Sequence, residues 1–265
     1  MLITGSSSGI GKALAFEFAR KGAILALTSR SLKRLRRTAK EITSAFPDAP
    51  VPLILPCDVA DREKIRGIMK NCVVHLGGID ILINNAGIGV YGETERTHLE
   101  DFRSVMEVNF FGSINCIFGA LPLLKKNRKG KIVNIASIAA LHGVPYLGAY
   151  GASKAALVAL SQSLRAELAK SGISIMIVYP GYTQTNFFEN EKKVGGAQRP
   201  PGPYTSPQKI AKTIVRAVEK DKRDLVLSLK GKALTFSRSF LPWLVERSME
   251  RITDKLLDKK EKPYE

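Results

Sequence analysis

Short apolar runs rich in β-branched residues alternate with longer segments of helical period along most of this chain, and that rhythm leaves few folds open. Residues 23–28, 51–57, 80–84, 131–136 and 173–179 read as strands buried on both faces. Residues 10–21, 32–46, 62–75, 99–125 and 150–170 read as the helices between them. The expectation is an α/β fold, a single doubly wound parallel sheet with helices on both faces. Gly22, Gly77, Gly130 and Gly172 each fall after a helical pattern and before a strand, where helix-ending glycines belong. After Pro180 the texture changes. Residues 181–207 are loop-like, with a glycine pair at Gly195, a proline pair at Pro200 and then Gly202-Pro203, and a loop of that length suits a lid. A helix over 207–220 and a strand over 225–229 return the chain to the sheet.

Composition narrows the class further. At 265 residues, with 45% hydrophobic and 25% charged positions, the chain has enough apolar matter for one large core. A disordered tail, a collagen-like repeat and a disulfide-stapled miniprotein are excluded. The three cysteines, Cys57, Cys72 and Cys116, form no CxxC pair, which suits buried thiols in a reducing compartment and argues against a metal site. No run of about 18 uncharged apolar residues is present, and no basic-then-apolar leader follows Met1, so a cytoplasmic protein is expected. The balance of 41 Lys+Arg against 24 Asp+Glu gives a net charge of +17, a field that favours anionic partners. Acidic residues interrupt much of the basic distribution and no nucleic-acid module is recognisable, so no nucleic acid is expected as a partner.

Four groups of residues carry chemistry. Thr4 to Gly11 reads TGSSSGIG, with Gly5, Gly9 and Gly11 between a strand stub and a helix. Backbone N–H groups of Gly5, Ser7, Ser8, Gly9, Ile10 and Gly11 at such a turn suit a pyrophosphate, although a plain capping loop has the same composition. After the second strand come Ser29 and Arg30, then Lys33, Arg34, Arg36, Arg37 and Lys40 with no acid among them. Arg30 can grip a 2′-phosphate bidentately, which favours NADP over NAD, while most of the later basic residues read as a solvated helix face. Tyr150 and Lys154 stand four apart on a helix and share a face. A cation about 4 Å away, worth roughly 4 kcal/mol at an effective dielectric near 20, would bring the phenol toward neutrality. A core Tyr beside a snorkelling Lys has the same spacing. Lastly, Ser137, the segment Asn84-Asn85-Ala86-Gly87 and Pro180-Gly181 all fall at carboxyl ends of strands, where parallel sheets bind ligands. Asn109 lies within an apolar helix pattern, where a buried amide needs a partner.

Taken together, TGSSSGIG, the Asp58 of CDV, NNAG, Asn109, Ser137, YGASK and PGYTQT resemble the short-chain dehydrogenase/reductase family in order and spacing, from Met1 to about Leu229. The resemblance implies a Rossmann-type sheet in the order 3-2-1-4-5-6-7 and a tetrad of Asn109, Ser137, Tyr150 and Lys154. Tyr150 would protonate a carbonyl oxygen, Ser137 would hydrogen-bond it, and Lys154 would lower the Tyr pKa and hold the nicotinamide ribose. Asn109 would anchor a water in the proton relay. Asp58 and Val59 would flank the adenine, Asn85, Ala86 and Gly87 would line the middle of the cofactor, and Pro180, Gly181, Thr183 and Thr185 would lie toward the nicotinamide. Val144, Tyr146, Leu147, Phe187 and Phe188 are the candidate apolar walls for substrate, beside Ser137 and Tyr150.

These readings imply an NADP(H)-dependent oxidoreductase that reduces an apolar, lipid- or steroid-like carbonyl or oxidises the matching alcohol. The alternative is a catalytically silent NADP sensor or scaffold on the same fold. The catalytic unit would span residues 1–229, lid 181–207 included, followed by a basic-hydrophobic helical tail over 230–265. In that tail Leu234, Phe236, Phe240, Leu241, Trp243, Leu244 and Val245 mix with Lys230, Lys232, Arg238 and Arg247. Its texture is similar to the hydroxysteroid-dehydrogenase-like and dehydrogenase/reductase member 7-like branch. Two readings stay open for it: peripheral contact with an anionic membrane, or packing on the lid or on a second subunit. The family implies a homodimer or homotetramer through helices 99–125 and 150–170. Since Met1 to Thr4 alone precede the glycine turn, either the first strand is short or the natural chain begins upstream of Met1, with room for an anchor.

Overall fold

The structure, a computed structural model, describes residues 1–256 except Arg128, Asn186, Phe188, Asn190 and residues 200–203. The chain runs β1 (Leu2–Thr4), α1 (Gly9–Ala19), β2 (Ala26–Thr28), α2 (Leu32–Ala45), β3 (Leu53–Ile54), α3 (Arg62–Leu76) and β4 (Ile81–Asn84). It continues through β5 (Val90–Gly92), α4 (Leu99–Met106), α5 (Gly112–Lys126), β6 (Gly130–Ile135), α6 (Gly148–Glu167) and β7 (Ile173–Tyr179). Then follow β8 (Lys192–Val194), α7 (Pro207–Glu219), β9 (Asp224–Val226), α8 (Leu229–Phe240) and α9 (Pro242–Leu256).

Seven strands form one parallel sheet in the order β3-β2-β1-β4-β6-β7-β9. With the small outlying pair β5–β8 set aside, this is the expected 3-2-1-4-5-6-7. Ile3 is level with Leu27 on one side and Ile83 on the other, Ile83 with Val133, and Val133 with Met176. Because alternate strand residues face opposite ways, these five side chains point to one face. There they pack with Leu14 and Phe18 of α1, Leu35 and Ile42 of α2, and Ile210, Ile214 and Val218 of α7. Their neighbours Leu2, Ala26, Leu82, Ile132 and Ile175 point to the other face, against Ile65 and Met69 of α3, Cys116, Ile117 and Leu124 of α5, and Leu164 of α6. A sheet covered on both sides needs strands that are apolar at every position, which is why these runs lack alternation. Each fully buried Leu or Ile contributes about 1.5–3 kcal/mol to holding the layers together.

Helix ends follow local chemistry. Ser31, Asp61 and Ser206 cap α2, α3 and α7 by accepting from the backbone N–H three residues on. Gly77 ends α3 in the left-handed region at φ 73°. Gly130 departs from the expected role: it opens β6, and a Cβ there would press to 2.7 Å from Leu124.

Two features differ from the expectations. The helix foreseen over 99–125 is α4 and α5 joined by a π-helical turn, Glu107–Phe111, so that one helical rod runs over Leu99–Lys126. By length and composition it could cross a bilayer, contrary to the sequence reading that no segment could. In the fold, Val105, Asn109, Ser113, Cys116, Ile117 and Leu124 turn into the interior. The region 181–207 is not wholly loop, since β8 pairs in parallel with β5, Val90 opposite Lys192. The tail forms α8 and α9. The inner side of α9 packs on the body of the molecule: Val245 and Leu256 are buried, Tyr146 Oη donates to Thr253 O at 3.1 Å, and Gln198 N donates to Leu256 O at 2.8 Å. Phe240, Leu241, Trp243 and Leu244, at the corner between α8 and α9, are exposed. The side chains of Lys230, Phe236 and Arg238, and residues 257–265, lie outside the described set, as do Pro200 and Gly202-Pro203.

Candidate active site

All strands of the main sheet run the same way, so the carboxyl ends of β1, β4, β6 and β7 meet at one edge. A cleft of about 690 Å³ opens there. The turn after β1 forms its floor. Gly5 and Gly9 have φ of +62° and +54°, a region L side chains avoid. Gly11 is required for space: a Cβ would sit 2.4 Å from both Asn85 Nδ2 and Gly5 O. Thr4 Oγ1 accepts from Asn85 N at 2.9 Å and Ala86 N at 3.0 Å, and Asn85 Nδ2 donates to Thr4 O and Gly5 O, so the two loops lock together. The side chain of Ser8, at the start of α1, makes no capping bond, which leaves the first helical N–H groups directed at the cleft.

Ser29, Arg30, Ser31 and Arg34 line one end together with Asp58 and Val59. Asp58 Oδ1 accepts from Ala60 N at 3.1 Å and shapes its own loop. Ser29 Oγ is buried and has no hydrogen-bond partner in the fold, the condition of a hydroxyl built to meet a ligand. The glycine turn, that hydroxyl and the two guanidinium groups make a cradle that fits the phosphates and ribose of a dinucleotide.

At the other end stand Ser137, Tyr150 and Lys154. Ser137 leaves β6 in extended conformation and its Oγ accepts from Ala139 N at 3.1 Å. Tyr150 and Lys154 lie one turn apart on α6. Lys154, almost wholly buried, donates from Nζ to Ile135 O at 2.9 Å and lies 5.9 Å from the Tyr150 ring centroid. Burial lowers the Lys154 pKa to about 8. Burial also pushes the Tyr150 phenol up to about 12, against a hydrogen bond with Ser137 and the Arg199 charge, both of which pull it down, while Glu191 adds to the rise. The expectation of a phenol drawn toward neutrality by its lysine is therefore reversed in this structure. Desolvation outweighs the Ser137 hydrogen bond and the Arg199 charge, and Tyr150 holds its proton at neutral pH.

Asn109 sits in the π-helical turn, behind the cleft rather than on its wall. Its Oδ1 accepts from Ile88 N at 2.8 Å, and its Nδ2 donates to Ile88 O at 3.0 Å and Ser153 Oγ at 2.9 Å. The side chain thus clips the loop after β4 to the helix carrying Tyr150 and Lys154. A widened turn at such a site is a recurrent device, because the extra residue re-aims one side chain without ending the helix.

Val144, Leu147, Phe187 and Tyr150 line the cleft, the Tyr150 and Phe187 rings 5.5 Å apart. Gly87, Pro180, Gly181, Thr183 and Thr185 line the passage between the two ends. Tyr146 does not line the cleft. Its φ of +65° turns the ring away, onto Tyr91 at 6.0 Å and under α9, where its hydroxyl meets Thr253. Gly11 likewise lies beneath the cleft, supporting the turn. Phe188 lies outside the described residues. The sequence reading set Arg34 among basic residues read mostly as a solvated helix face, and it passed over Arg199 and three residues of α9, Met249, Ile252 and Leu256, all on the wall. The last three did leave a signal: with Val245 they recur at spacings of four, three and four, one apolar stripe of a helix.

Residues 1–194 match the model of the short chain dehydrogenase family. A dehydrogenase/reductase SDR family protein 7-like of Anopheles gambiae is 34% identical over 95% of this chain and 83% of its own. An 11-beta-hydroxysteroid dehydrogenase-like 2 of Arabidopsis thaliana is 36% identical over 97% and 80%. Among solved structures, an alcohol dehydrogenase from the archaeon Thermococcus sibiricus, complexed with 5-hydroxy-NADP, superposes with a TM-score of 0.75 at 29% identity, covering 85% of this chain and 94% of the other. With the order of the main sheet, the family match and these relatives agree: the chain belongs to the short-chain dehydrogenase/reductase family of oxidoreductases.

Proposed function

We propose that this protein is an NADP(H)-dependent reductase of an apolar carbonyl compound. The observation that carries the reading is a protonated, buried tyrosine at the closed end of an apolar chamber, with Ser137 beside it, Lys154 behind it and a phosphate cradle at the far end of the same cleft. Bound in that cradle, NADPH would supply the hydride. Tyr150 gives its proton to the carbonyl oxygen, and its raised pKa keeps that proton in place until charge develops on the oxygen. Ser137 donates a second hydrogen bond to the same oxygen, while Lys154, fixed by Ile135 O and beside the Tyr150 ring, would hold the nicotinamide ribose. Asn109 acts through the backbone of residue 88 and through Ser153, holding the wall and the catalytic helix in register. The intact Ser137, Tyr150 and Lys154 argue against a sensor or scaffold that has shed its chemistry. Oxidation of NADPH with an apolar ketone, and its dependence on Tyr150, tests the reading.

The cofactor choice rests on Arg30 and Arg34 beside the buried Ser29 hydroxyl, with no carboxylate to bind a ribose 2′-hydroxyl in that stretch. Arg30→Asp is expected to lower the preference for NADPH over NADH by roughly 10- to 100-fold, the worth of one charge-assisted hydrogen bond. Steady-state kinetics with both cofactors measures it. An unchanged ratio would mean that Arg34 reads the phosphate instead.

Two further parts of the reading concern surfaces. Leu99, Phe111 and Phe118 expose apolar side chains along the rod of α4 and α5, which supports pairing of copies across that rod and α6. The corner of Phe240, Leu241, Trp243 and Leu244 supports a peripheral contact with an anionic membrane, while the inner side of α9 closes the chamber. Trp243→Ser is expected to reduce co-sedimentation with anionic vesicles several-fold. Equal sedimentation of both proteins would end the membrane reading of this corner.

A further inference from the structure

A charge pair lies in the apolar chamber, and neither hydride nor proton transfer calls for it. Arg199 Nε donates to Glu191 Oε1 at 2.6 Å, and Arg199 Nη2 makes a second contact to Glu191 Oε2. The guanidinium carbon stands 4.3 Å from the centroid of the Tyr91 ring and 6.0 Å from that of Tyr182. Tyr91 is itself held, its hydroxyl donating at 2.9 Å to the carbonyl of Gln198, the residue before Arg199. A fork-to-fork carboxylate at one edge and an aromatic ring against one face fix the plane of the guanidinium.

Such a pair is a poor device for stability. Taking both ions out of water is costly, and packed apolar residues of similar volume usually do as well or better. Its two members are also placed unequally. The Glu191 side chain is 0% exposed and lies off the cleft wall, whereas that of Arg199 is 14% exposed and forms part of the wall. What the chamber meets is the guanidinium, with the carboxylate as its buried backing. Among the described residues of the cleft, the other charged side chains are Arg30, Arg34 and Asp58 at the nucleotide end and Lys154 behind Tyr150. Leu147, Phe187, Met249, Ile252 and Leu256 also line the cleft.

We propose that Arg199 is a specificity-determining residue that hydrogen-bonds an oxygen of the substrate remote from the reacting carbonyl. The substrate class is then an apolar carbonyl compound with a second oxygen function, a hydroxyl or a carboxylate. This deepens the reductase reading and rests on it. A hydrocarbon tail laid against the guanidinium would desolvate it further and supply no acceptor, whereas an oxygen there is matched in charge and oriented by a donor already held in plane.

The test uses the full chain with NADPH in the Tyr150→Phe background, where ligands bind without turning over. Dissociation constants are read from the change in NADPH fluorescence for three probes: a long-chain methyl ketone, its ω-hydroxy derivative and its ω-carboxy derivative. The oxygenated probes are expected to bind about tenfold more tightly or better, the worth of a hydrogen bond to a charged group. Adding Arg199→Met is expected to bring all three to one affinity, with Arg199→Lys keeping part of the preference for the carboxylate. Equal affinities in the protein with Arg199 intact, including none measurable, overturn the proposal, and that comparison needs no Arg199 variant to fold. A preference that survives Arg199→Met overturns it as well and leaves the pair as a tie within the lid. Failure of the reductase reading would show elsewhere, as NADPH oxidation that does not depend on Tyr150.

Discussion

Tyr150→Phe is expected to lower kcat for ketone reduction by roughly 10²- to 10⁴-fold, the range of a lost general acid, while NADPH binding survives. The substitution removes one oxygen and keeps the ring. Contact with Phe187 at 5.5 Å therefore persists, and α6 keeps its packing. The cradle for the cofactor is built from the turn after β1, the loop after β4 and the residues after β2, none of which leans on the phenol. What disappears is the proton. Because burial holds the Tyr150 pKa at about 12, the phenol is fully protonated at neutral pH and is an acid that lets go only when an alkoxide-like oxygen forms beside it. Single-turnover and steady-state rates, with NADPH titrated by fluorescence, separate the two effects. A kcat within about threefold of the parent would assign the proton to another donor.

Lys154→Met should move activity and stability in opposite directions. Activity falls, by about 10²-fold or more, because the cation beside the phenol is gone. Stability rises at neutral pH. Burial takes the Lys154 pKa from its ordinary 10.5 down to about 8, so between those values the unfolded chain binds more protons than the folded one. Folding therefore carries a penalty that is full below about pH 8 and fades as pH climbs toward 10.5. At about 1.4 kcal/mol per unit the penalty is on the order of 3 kcal/mol. Methionine escapes it, less the cost of taking the ammonium away from Ile135 O. Denaturation at pH 7 should show the variant more stable by about 1–3 kcal/mol, and the gain should shrink toward pH 10. A variant less stable than the parent at pH 7 would show that the ammonium is better solvated in the fold than its burial implies.

Much of the fold could be read in the sequence because its strands carry no exposed face. Runs such as ILIN and ISIMIVY are apolar at successive positions, and in a chain with long helical segments between them that pattern fits a covered parallel sheet. The candidate catalytic residues were legible through the order and spacing that resemble the family, not through any one motif alone. Ser137 follows a strand directly, and Tyr150 and Lys154 share one helical turn, so local spacing already implies proximity. Arg199 offered no such cue. It sits in an unpatterned stretch rich in glycine and proline, and it reaches the chamber through a partner eight residues earlier and a ring on another element, Tyr91. Tyr146 shows the opposite failure. Nearness in sequence to Tyr150 suggested the pocket, but a single positive φ turned the ring under α9. The pair β5–β8 escaped because VYG and KKV are three residues each, too short for any period to register. In the tail, Trp243 and Phe240 drew attention to a surface, while the stripe of Val245, Met249, Ile252 and Leu256 was the part that packs inward.

The central claim is that the cleft reduces an apolar carbonyl at the expense of NADPH. The most direct measurement is NADPH oxidation by the full chain against a panel of apolar ketones and aldehydes, some with a second oxygen, run beside Tyr150→Phe and with NADH as comparator. The account expects turnover with at least one member, preference for NADPH, and loss of turnover in Tyr150→Phe. Tight NADPH binding with no turnover across the panel, or turnover indifferent to Tyr150, would contradict it.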